Sequence, residues 1–205
     1  MFWIMNTQAE RRARSRTALL ESAAVGISRS GYGNLALEQV ARDAGYSRGA
    51  LYHQFRDKQE LTLAVLEWIQ QAWADEVGAL VDQETDPAAA LLAMARGHAV
   101  FCRRDFARVA LALRVEFAGQ EHPVGAAVEA AYAVLTQICA GHIAAARAAG
   151  SVPPGPSEEV LARAFIGALE GTVVALAGTA PYDAELAARA VAGVLGLPNE
   201  GKDVS

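Results

Sequence analysis

Apolar positions along this chain recur at intervals of three and four, the spacing of helices that each bury one face. Leu20, Ala23, Ala24 and Ile27 form such a stripe within Ala9–Ser30. Val40, Ala41 and Ala44 form a narrower one, and Leu51 with Phe55 a third. Leu61, Val65, Trp68, Ile69, Ala72 and Val77 continue the pattern to about Gln83. Beyond it, helices are expected from Asp86-Pro87 through Cys102, over Asp105–Ala118, Val124–Ala149 and Glu158–Gly178, and from Pro181-Tyr182-Asp183 to near Gly196. No stretch shows the strict alternation of a strand. The expectation is an all-α chain of nine helices.

Local signals sharpen the boundaries. Gly31-Tyr32-Gly33-Asn34 is a turn, with Asn34 placed to cap the next helix. Gly45 closes the second helix, and Ser47 caps the third through its hydroxyl. Asp57 with Glu60 three residues on reads as a capping box. Pro87 suits a first helical position, Gly150 a helix end, and Ser157 another cap. The polar tail Leu197–Ser205 is expected to fray.

The stretch Leu35–Leu61 is the most informative. It reads as two short helices joined by a tight glycine turn, with Leu51 and Phe55 inward and Arg48, Gly49, Tyr52 and His53 outward. Such a pair is a helix-turn-helix, whose second helix enters the DNA major groove. The residues Val40-Ala41, Ala44-Gly45, Ser47-Arg48-Gly49-Ala50-Leu51-Tyr52, Phe55, Lys58 and Leu61 resemble the signature of the TetR (tetracycline-repressor) family. The resemblance reaches back through Ala23-Ala24 and Gly31-Tyr32 and covers roughly residues 11–67. It implies an N-terminal DNA-binding domain over 9–56 and a ligand-binding and dimerisation domain over 57–197. Where many relatives carry a phosphate-contacting Thr at the second helix, this chain has Leu35-Ala36-Leu37. Gln39 or Arg42 is the candidate to replace that contact.

Charge changes the picture once divided. The net charge is −5, yet residues 1–58 hold nine Lys/Arg against five Asp/Glu. The basic end is where phosphates would be met. Arg14 and Arg16 are candidate phosphate contacts, as are Ser47, Tyr52 and Lys58. Arg48 suits a guanine edge, His53 a phosphate or base, and Gly49 close approach to the groove.

An apolar fraction of 53% is ample for a core, and no apolar run is expected to reach membrane-span length. Met1–Met5 is too short for a signal peptide and reads as a leader or a misplaced start, so the cytoplasm is the expected location. Cys102 and Cys139 are too few for a disulfide framework. The long helix from Asp57 would span about 40 Å, enough to link the two domains as a lever.

In the body, Trp68, His98, Phe101, Cys102, Phe117, Tyr132 and Phe165 are candidate ligand contacts, beside Trp73, Phe106, Arg114, His142 and Glu170. The resemblance implies an inducer cavity here, and the residue mix fits a lipophilic or weakly polar molecule. Ala164, Gly167, Ala168, Gly171 and Ala175, with Ala187, Ala190, Val191 and Val194, let helix axes approach closely, and the resemblance implies a homodimer through these last two helices. His98 with Cys102, and Cys139 with His142, have metal-pair spacing, but core packing is the commoner use of such residues. No metal or cofactor is expected. Cys102 and His98 lack an orienting acid, so no enzyme is expected either. The reading is a ligand-responsive regulator: a repressor on a near-palindromic operator in double-stranded DNA, released by a small-molecule inducer. An activator or a ligand-independent regulator with the same head is the alternative.

Overall fold

The structure is a computed structural model that describes residues 8–198. Met1–Met5 and the tail beyond Pro198 lie outside those residues. The described chain is helical: α1 Gln8–Ser30, α2 Leu37–Asp43, α3 Arg48–Gln54, α4 Lys58–Trp73, a π turn Ala74–Gly78, α5 Ala79–Val81, α6 Pro87–Phe101, α7 Val109–Glu116, α8 Pro123–Ala148, α9 Glu158–Ala175 and α10 Tyr182–Leu195. From α4 through α5 the backbone stays helical, so the described residues form nine rods, as the apolar periodicity predicts.

Two compact units divide the chain. The first holds residues up to 69 and 105–129; the second holds 70–104 and the chain from 130 onward. In the first, α1 buries Leu19, Leu20, Ala23, Ala24 and Ile27. Against them lie Val40 and Ala41 of α2, Leu51 of α3, Phe55, and Leu61 and Val65 of α4, all nearly inaccessible. Burying a Leu or Phe side chain is worth about 1.5–3 kcal/mol, so this small head has a real core.

In the second unit α10 packs along α6 and α9. Met94, Phe165, Leu169, Val191 and Leu195 fill its interior. A Cβ on Gly97 would lie 2.9 Å from Leu80 Cδ1 and 3.2 Å from Val77 Cγ1, so only glycine lets α6 approach the π turn and α5 so closely. Arg103 grips Asp183 with two bonds, 2.9 and 2.7 Å, tying the chain after α6 to the start of α10.

Several expectations need correction. Asn34 does not cap α2; its amide donates back to Ser30 O at 2.9 Å, and Ala36 holds the cap position before Leu37 with no side-chain cap bond. The capping box is shifted: Asp57 accepts from Glu60 N–H, but Glu60 accepts from Arg56 N–H and its guanidinium. The Arg56 charge outcompetes the neutral Asp57 amide. The helix expected over Asp105–Ala118 is only Val109–Glu116, because Arg103 to Phe106 are drawn to separate partners. One helix, α8, is long and apolar enough to cross a membrane, contrary to the reading of the sequence. Its Ala and Val content raises the mean hydropathy, while Val124, Val128, Tyr132, Cys139, Ile143 and Ala146 are buried. Finally, Ala187 and Val191, expected at a subunit contact, are fully buried in their own chain.

Candidate nucleic-acid interface

The two helices of the motif are fixed by backbone geometry first. Gly45 takes φ +77°, and nothing lies within 4 Å of where its Cβ would be, so conformation rather than space requires glycine. That geometry lets Tyr46 N–H reach Ala41 O at 2.8 Å and closes α2. Ser47 then accepts from Ala50 N–H at 3.2 Å and starts α3. Leu51 and Phe55 anchor α3 inward, which turns Arg48, Gly49, Tyr52 and His53 to solvent.

On that outward face Arg48 lies over the Tyr52 ring, 5.3 Å from its centroid, and 3.2 Å from Glu38. The exposed pair with Glu38 is weak; it orients the guanidinium without holding it against a stronger partner. Tyr52 remains 40% exposed. A Cβ on Gly49 would touch only Ser47 Oγ at 3.8 Å, so no packing within the chain requires glycine there. On α2 the Gln39 amide donates to Asp43 and accepts from Arg42, so Gln39 and Arg42 form one polar cluster. Arg16 lies over the Phe55 ring at 4.7 Å, and Arg14 is exposed on α1.

Lys58 differs from expectation. Its ammonium donates to Tyr32 O at 2.9 Å and Gly33 O at 3.1 Å, and lies 4.4 Å from the Tyr32 ring centroid. It braces the α1–α2 turn. Three further residues were not anticipated. Ser22 donates to Val40 O at 3.0 Å, and Gln54 donates to Ser15 Oγ at 3.0 Å, fastening α2 and α3 to α1. Glu116 accepts from Tyr32 and Gly33 N–H. Ser22 sits beside an apolar stripe, a weak signal. Glu116 is more than 80 residues from its partners, and no local pattern could reveal it.

The candidate ligand contacts divide between the units. In the first, Trp68 packs on Phe106 with centroids 5.0 Å apart, and Phe117 stacks on His122 at 4.4 Å. In the second, Trp73 donates its indole N–H to His98 Nδ1 at 3.0 Å. His98 Nε2 therefore carries the ring proton and faces Cys102 Sγ at 3.5 Å. Burial pushes the His98 imidazole below its ordinary range, opposed by the nearby Glu170 carboxylate. Glu170 also accepts from Tyr132 OH at 2.7 Å. His98, Cys102, Tyr132, Glu170 and Trp73 are thus one polar cluster; Phe101 and Phe165 are buried in the same unit. Cys139 contacts Met94 Sδ at 3.7 Å, and burial pushes its thiol up to about 12. Among the described residues no group of three or more His, Cys, Asp or Glu could hold a metal ion.

Residues 19–65 match the sequence profile of the bacterial regulatory proteins of the tetR family. The HTH-type transcriptional regulator CymR of Pseudomonas putida is 42% identical over 66 residues, 32% of this chain and 32% of CymR. The match therefore spans about a third of that relative's length. Solved structures share the fold over far more of the chain. AibR in complex with isovaleryl coenzyme A and operator DNA superposes with a TM-score of 0.75 at 19% identity, over 90% of this chain and all of that one. The TetR-family regulator SCO4454 from Streptomyces coelicolor gives 0.73 at 21%, over 90% and 95%. FadR from Bacillus subtilis with stearoyl-CoA gives 0.73 at 13%, over 87% and 97%. Residues 19–65, which hold the capped third helix, thus carry a segment of the tetR type, and the fold around them is the one these solved structures share.

Proposed function

We propose that the chain is a ligand-responsive DNA-binding transcriptional regulator, a repressor that a small-molecule inducer releases from a near-palindromic operator. The observation that carries this reading is the outward face of α3, where Arg48, Gly49, Tyr52 and His53 stand exposed on a helix held by Leu51 and Phe55. Arg48 reads a guanine edge; Arg14, Arg16, Ser47, Tyr52 and His53 meet phosphate or base, with the Gln39–Arg42 pair at the flank. Lys58 supports this surface from behind by bracing the turn.

The regulator acts as a homodimer. Gly167 and Gly171 of α9 and Gly193 of α10 have nothing within 4 Å of a Cβ position, so no neighbour in their own chain accounts for them. Val160, Val174 and Leu186 are exposed on the same two helices. A second copy would cover them and place two recognition helices on one face of the duplex. Effector binding is assigned to the second unit, at His98, Phe101, Cys102, Tyr132 and Phe165, and to a lipophilic or weakly polar molecule. AibR and FadR, which share the fold, were solved with acyl-CoA molecules, which supports a small-molecule effector in general. Ligand weakens DNA binding only by its preference between two states. Taking the balance from 1:99 to 99:1 requires about 5.5 kcal/mol of such preference.

Selection of bound sites from random duplexes tests the reading. Recovery of a two-fold motif with half-sites about one helical turn apart is expected. Enrichment of no motif would count against it.

A further inference from the structure

We propose that Glu116, the last residue of α7, sets the position of the DNA-reading helices by clasping the turn that leads into them. This rests on the DNA-binding reading above and names a residue that touches no DNA.

The turn Gly31–Asn34 is the only covalent link from α1 to α2. The backbone of its two central residues, Tyr32 and Gly33, is held through both N–H and carbonyl groups. Glu116 accepts from Tyr32 N–H at 2.6 Å and Gly33 N–H at 2.7 Å, one carboxylate oxygen for each. Lys58 donates to the carbonyls of the same two residues. Bonds to a charged acceptor are shorter and stronger than neutral ones. Gly31 leaves room for this: a Cβ there would lie 2.9 Å from Glu116 Oε2. The residue type is locally unfavourable, since a carboxylate at a helix C-terminus opposes the helix dipole. Its two amide donors in the turn offset that cost.

The clasp is also connected to the wall of a cavity. Phe117, the next residue, meets the Tyr32 ring edge-on at 5.2 Å and stacks on His122. Both Phe117 and His122 line a cavity of about 510 Å³ within the same unit. A shift of the Phe117–His122 stack would therefore pull on Tyr32 through both its ring and, by way of Glu116, its backbone.

The test uses the full-length protein and its selected duplex, with Glu116→Ala and Glu116→Gln. Simple electrostatics gives Glu116→Ala tighter binding, because an acidic charge leaves a DNA-binding unit. The clasp gives the opposite sign: affinity at least tenfold weaker, an unchanged salt slope, and faster amide exchange at Tyr32 and Gly33. Glu116→Gln loses less, since its amide oxygen still accepts one of the two bonds, and it carries the test if the alanine variant fails to fold. A role confined to stability would lower the melting temperature and leave the affinity of the folded variant intact. Affinity unchanged or tighter in a folded variant, or unchanged exchange at Tyr32 and Gly33, overturns the proposal while leaving DNA binding standing. A wild-type protein that binds no duplex overturns both.

Discussion

Arg48 is the residue on which sequence and geometry agree most closely. Helical spacing placed it opposite Leu51 and Phe55, and the structure exposes it beside two surface partners, Glu38 and the Tyr52 ring. Arg48→Ala should weaken operator binding by about 1–3 kcal/mol and relax preference at a single base pair; a binding titration over operator variants measures both. Uniform weakening across all variants would instead mark Arg48 as a phosphate contact. Lys58 shows the limit of residue-scale reading: its identity fits a phosphate, and only coordinates reveal that two carbonyls hold it. His98 carries a pH prediction. Burial holds its folded-state value below the ordinary 6.5, so between those values the unfolded chain binds more protons. Stability from the neutral imidazole is therefore full above 6.5 and is lost as pH falls towards the folded value. Melting temperatures from about pH 7.5 to about 5 should drop more for the wild type than for His98→Gln. Parallel curves would show that the imidazole is not kept neutral by the fold.

At the scale of elements, the motif was legible because its signals are local. Gly45 and Ser47 act within a few residues of themselves, so sequence alone places the bend and the start of α3. Gly45→Ala should cost about 1 kcal/mol from the left-handed backbone, with no clash. Ser47→Ala should cost about the same through the lost cap. Thermal unfolding measures each, and a chain of this size should melt about 2–4 °C lower per substitution. A Gly45→Ala change with no effect would mean the turn relaxes to another backbone form. What sequence missed at this scale depends on distant partners. The α7 boundary moved because Arg103, Arg104, Asp105 and Phe106 bind three separate elements, α10, the π turn and α1. Asn34 was drawn back to α1 rather than forward to α2.

At the scale of the whole molecule, the nine rods and all-helical fold of the described residues followed from periodicity, but their grouping did not. Each compact unit combines two separate stretches of chain, which no composition shift announces. The small-residue stripe of α9 was visible; that Ala187 and Val191 of α10 face inward was not, since Ala and Val suit either side. Gly171 offers a clean probe of the dimer, because its Cβ position is open within the chain. Gly171→Glu should leave the subunit folded, halve its mass in solution and abolish tight operator binding. A dimeric Gly171→Glu protein would move the interface elsewhere. The most direct test of the DNA-binding account is the affinity of the purified wild-type protein for its selected duplex as salt is raised. Two subunits per duplex are expected, with log K falling linearly against log salt at roughly 0.9 per phosphate neutralised. Binding that is absent at low ionic strength, or indifferent to salt, would contradict it.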